Sequence, residues 1–65
     1  MPHRFRVMIE GKIYTIIKQS HTKYVASEYA NLARENKLFE SVRLIESPES
    51  QKKHGKWAVA VRGAL

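Results

Sequence analysis

The chain contains no cysteine and no aspartate among its 65 residues. Without cysteine there is no disulfide and no thiolate metal site to staple a small fold. One mark of an oxidising compartment is missing with it, and a cytoplasmic setting is the expectation. Without aspartate, six scattered glutamates are the whole acidic complement. Glu28 and Glu35 lie two helical turns apart beside Arg34, with no sign of the concave site that a catalytic carboxylate pair needs. No apolar run approaches the roughly 20 residues that span a bilayer. The opening MPHRFRVMIEGK carries charge but no long apolar stretch, so neither a membrane helix nor a signal peptide is expected.

Other scarcities narrow the chemistry further. Glycine occurs only at 11, 55 and 63, which is no phosphate-cradling pattern. His3, His21 and His54 have no metal-ligand spacing and no carboxylate placed to orient them. The serines lack a nucleophile-elbow context. A non-enzyme without cofactor or metal is the expectation.

What the chain has in plenty is positive charge. Twelve lysines and arginines against six acids leave a net charge of +6. So small a basic chain suits polyanionic partners: DNA, RNA, a nucleoprotein, or an acidic protein surface. Sixty-five residues make one small domain, 1–65, in which a single core is only just sufficient. Oligomerisation is then an expected source of added stability, with a homodimer the simplest form.

The clearest periodicity runs from Thr22 to Asn36. Val25, Ala26, Tyr29, Leu32 and Ala33 recur at helical spacing, with Lys23, Ser27, Asn31, Arg34 and Glu35 on the other side. Ser20 or Thr22 suits an N-cap, and Asn36 a left-handed stop. Before the helix, residues 4–9 and 13–19 read as two strands joined by a turn at Gly11. Phe5, Val7, Ile9, Tyr14 and Ile16 share one face of that hairpin, the more apolar one, which should take the helix. After the helix, 40–46 and 56–62 read as two more strands, with Val42, Leu44, Trp57, Val59 and Val61 inward. The polar stretch SPESQKKHG between them reads as a loop with a mobile tip. The fold class expected is α+β: ββαββ, a four-stranded, mostly antiparallel sheet with one helix packed on one face.

Two surfaces follow from these parities. The sheet face away from the helix should display Arg4, Arg6, Arg43, Lys56 and Arg62, and the loop adds Lys52 and Lys53. These residues are the candidate contacts for nucleic acid or another partner. Between the cations lie Met8, Ile13, Ile17 and Ile45, the candidate residues for self-association. Since every aromatic is assigned to the core or its rim, no base-stacking platform is expected. The leading functional expectation is a small binding module that docks on nucleic acid or a nucleoprotein. A homo-oligomeric accessory protein and a phage-type small inhibitor of a protein partner are the alternatives.

The run IEGKIY, a polar turn and then TKYVASEYA resembles the arm-type DNA-binding domains of integrases, which however end on their helix. Helix, LFESVRLIE, loop and KWAVAV together resemble, in architecture, short phage-encoded inhibitors including certain anti-CRISPR proteins. No motif in either likeness carries functional residues across, and the chain is assigned to neither family.

Overall fold

A computed structural model describes residues 5–64. Strand β1 (Arg6–Ile9) and strand β2 (Lys12–Ser20) form a hairpin. Helix α1 (Lys23–Glu35) follows, then β3 (Phe39–Glu46), a 3₁₀ helix (Glu49–His54) and β4 (Trp57–Ala64). The sheet order is β1-β2-β4-β3 with every neighbouring pair antiparallel. The architecture is therefore the expected α+β arrangement, with a hairpin on each side and the last strand filling the gap between β2 and β3.

Local chemistry sets the joints. Glu10 and Gly11 both take positive φ, 50° and 77°, which is the two-residue type I′ turn whose twist matches antiparallel strands. Thr22 caps α1, its hydroxyl accepting from the Val25 N–H at 3.4 Å. The helix stops through a Schellman arrangement: Leu38 N–H donates to Ala33 C=O and Lys37 N–H to Arg34 C=O. The left-handed residue is Lys37, at φ 52°. Asn36, expected in that role, is right-handed at φ −81°, because it is the last capping residue and the reversal comes one position later.

Helix and sheet meet through small residues. Ala26, Ala30 and Ala33 are the buried positions of α1. Ala26 and Ala30 join Val59 and Val61 in a cluster flanked by Ile17, Phe39, Val42, Leu44 and Trp57. With alanines at the contact the helix sits close, and its larger neighbours are held off to one flank. Val25, Tyr29 and Leu32 remain 40–56% exposed.

The first hairpin is turned over relative to expectation. Thr15 pairs with Val61 and Ile16 with Ala60, and directly paired residues share a face. Arg6, Met8, Ile13 and Thr15 therefore lie on the helix side, while Val7, Ile9, Tyr14 and Ile16 lie on the far side. A β-bulge between Ile16 and Lys18 sends Ile17 toward the helix cluster. Each hairpin's alternation was legible by itself, but their relative parity is set by the β2–β4 seam between strands distant in sequence.

The far side is consequently not open. Tyr14 (3% exposed) and Ile16 (6%) are buried there beside Ala58 and Ala60. Tyr14 shares a hydrogen bond of 2.9 Å with the Ser41 hydroxyl, and the Arg43 guanidinium lies over its ring. The polar stretch between β3 and β4 carries regular structure of its own. Its 3₁₀ helix is tied to β2 by Gln19, whose amide donates to Gln51 C=O at 3.0 Å and to Ser47 Oγ at 3.2 Å. Among the described residues, no helix is long and apolar enough to cross a membrane.

Candidate nucleic-acid interface

The predicted cationic face does not assemble. Arg43 forms an ion pair with Glu10 at 2.9 Å and donates to the Tyr14 hydroxyl at 3.4 Å. That hydroxyl, held by Ser41 and then by Arg43, has its pKa lowered; Arg43 is raised in turn, chiefly by its bond to Tyr14. Arg62 pairs with Glu40 at 3.8 Å, and its buried Nε has no hydrogen-bond partner among the described residues. These two arginines brace the far side internally. Arg6 is exposed on the helix side, and Arg4 lies outside the described residues. The apolar set separates too: Met8 and Ile13 face each other across the hairpin, Ile17 belongs to the helix cluster, and Ile45 lies with Ala58 on the far side.

A different cationic surface does form, at the end where β2 finishes, α1 starts and β4 starts. Trp57 pairs with Ser20 across the β2–β4 seam and sits half-buried against the helix cluster. Over its ring stand the ammonium groups of Lys23, at 5.3 Å from the centroid, and Lys56, at 5.7 Å. Lys18 lies over the Tyr29 ring at 5.9 Å. Such pairs hold a cation by the ring quadrupole without neutralising it. Each lysine is placed by the fold: Lys18 by the bulged strand, Lys23 by the first turn of α1, Lys56 by the start of β4.

The 3₁₀ helix closes the same end. Gly55, at φ 146°, runs so close to β2 that a Cβ there would lie 2.6 Å from the Ser20 nitrogen. Ser47 N–H donates to Lys56 C=O at 2.7 Å. This brings Lys52 and Lys53 alongside, though Lys52 is shared with Glu49 at 3.1 Å. Glu46, opposite Trp57, is the acid nearest the ring in register. Tyr24 is 71% exposed on the first turn of α1, and Glu28 beside its phenol raises its pKa.

Of the candidate contacts named from sequence, the fold thus gathers Lys52, Lys53 and Lys56, and disperses Arg6, Arg43 and Arg62. Lys18, Lys23 and Trp57 are additions. Their convergence depends on the Ser20–Trp57 pairing, for which the sequence carries no local signal. No protein-family model, curated protein or solved structure matches the chain.

Proposed function

We propose that the protein is a non-enzymatic module that binds single-stranded nucleic acid at this basic, aromatic end. The observation that carries the reading is the pair of lysines, Lys23 and Lys56, poised over one tryptophan, with Lys18 two residues before Ser20 on the neighbouring strand. Single-stranded nucleic acids are held by cations that track phosphates and by aromatic rings on which bases stack. Both groups are present here within one surface. On binding, a base would take the place of an ammonium over the ring, and the freed lysine would move to the adjacent phosphate. Sequence preference is weak on this account, since phosphates position and do not specify. A cytoplasmic setting belongs to the same reading.

The test is a titration of a dye-labelled oligothymidylate, followed by anisotropy over a range of salt. If Lys18, Lys23, Lys53 and Lys56 each meet a phosphate, the log–log salt slope is about −2.8 for a single strand. Affinity then falls roughly 50-fold from about 50 to about 200 mM salt. Replacing Lys23 and Lys56 by glutamine lowers the slope by about 1.4. Absence of binding at low salt would dispose of the reading.

A further inference from the structure

We propose that two copies of the chain form a reciprocal dimer, the exposed flank of α1 in each seating on the bare β1–β2 hairpin of the other. The helix has two apolar stripes at helical spacing. One, Ala26, Ala30 and Ala33, is buried on the chain's own sheet. The other, Val25, Tyr29 and Leu32, is 44, 40 and 56% exposed. It lies on the β2 side of the helix, where Tyr29 meets Lys18, whereas Arg34 on the opposite flank reaches the β3 edge and donates to Val42 C=O.

The sheet shows the matching deficit. α1 packs on β2, β3 and β4, and the helix-side pair Met8 and Ile13 is left 66% and 57% exposed. At the C-terminal end of the helix stripe runs a groove of about 330 Å³ lined by Ile17, Tyr29, Leu32 and Leu38 among others. One chain thus carries a helix stripe without a sheet and a half-sheet without a helix, on the same side. A second copy related by a two-fold axis supplies each to the other, which is the self-complementarity an isologous contact requires.

Charge and area agree with that occupant. The exposed helix stripe is bordered by Glu28 and Glu35, and the helix side of the bare hairpin carries Arg6. None of the three is in an ion pair among the described residues. Acid therefore meets base when the helix of one copy lies on the hairpin of the next. The exposed portions of Met8, Ile13, Val25, Tyr29, Leu32 and Leu38 amount to on the order of 500 Å² of apolar surface, as large as the largest patch a monomer ordinarily leaves in water. Doubled across the two-fold, that is on the order of 1,000 Å², the lower bound for a specific interface before its polar rim is added.

Sedimentation equilibrium of the full chain in moderate salt tests the proposal, with circular dichroism to verify folding. The expected mass is twice the 7.5 kDa of one chain. Leu32→Lys and Met8→Lys, both at exposed positions, should each remain folded and weaken the dimer roughly thirtyfold or more. Tyr24→Lys, on the back of the helix, should leave it unchanged. A wild type at the monomer mass throughout a concentration series up to about 1 mM would overturn the proposal and leave the patch to a different protein. So would a dimer that Leu32→Lys does not weaken, or one that Tyr24→Lys weakens equally.

Discussion

Replacing Gly55 by alanine should destabilise the fold far more than the same change at Gly11, although both glycines have positive φ. At Gly11 (φ 77°) a Cβ would have no neighbour within 4 Å. The cost there is that of one left-handed alanine, about 1 kcal/mol. At Gly55 the backbone sits at φ 146°, ψ 139°, a conformation that only glycine adopts readily, and a side chain there costs about 2 kcal/mol. Its Cβ would also lie 2.6 Å from the nitrogen, 2.8 Å from the carbon and 2.9 Å from the oxygen of Ser20. All three are backbone atoms, so the 3₁₀ helix and β2 must move apart, adding about 2 kcal/mol of overpacking. The sum, about 4 kcal/mol, is half or more of the stability a chain this short possesses. Urea unfolding followed by Trp57 fluorescence measures the difference. The midpoint of Gly55→Ala should fall about four times as far as that of Gly11→Ala at unchanged slope, or the variant should fail to fold. Equal shifts would refute the close approach of the 3₁₀ helix to Ser20.

Three other expectations concern the tyrosines, the helix seat and the exposed helix stripe. Tyr14 has its pKa lowered by Ser41 and Arg43, and Tyr24 has its raised by Glu28. Between the lowered value and about 10 the unfolded chain holds the extra proton of Tyr14, so that residue's contribution to stability grows with pH; above about 10 the unfolded chain releases the Tyr24 proton first, and that contribution declines. Tyrosinate absorbance in a pH titration should therefore begin to rise early, and Tyr14→Phe should remove the early part alone. Ala30, 1% exposed against the valines of β4, tolerates no enlargement: Ala30→Leu should cost about 1–3 kcal/mol in thermal or urea unfolding. Leu32→Ala, measured by the same unfolding in dilute solution, should cost less than about 1 kcal/mol, because half of that side chain is already in water.

Most of the fold was readable because local patterns agree with it. The alternation of RFRVMI and KWAVAV, the glycine turn, the Thr22 cap and the helical period each name their element without reference to the rest. What could not be read was the joint between the hairpins. Only the Thr15–Val61 pairing and the bulge at Ile17 decide which face of β1–β2 meets α1, and those choices depend on packing across the sheet. That one reversal moved Arg6, Met8 and Ile13 to the helix side and buried Tyr14 away from it. The helical stripe misled for a related reason. Val25, Tyr29 and Leu32 share the period with the alanines, yet close seating on β4 selects the small residues and leaves the larger ones outside. The lysine-rich loop was visible as charge, but its alignment with Lys23 and Trp57 follows from Gly55 lying against Ser20.

The fluorescence of Trp57, the single tryptophan of the chain, reads the proposed interface directly. Oligothymidylate added at low salt should quench it, since a base stacks on the indole in place of an ammonium. Inorganic polyphosphate of matched charge should bind through the lysines and leave the quenching small. Added salt should restore the emission along the same steep dependence as the affinity. Emission that oligothymidylate leaves unchanged at saturating concentration, or that polyphosphate quenches equally, would contradict the account.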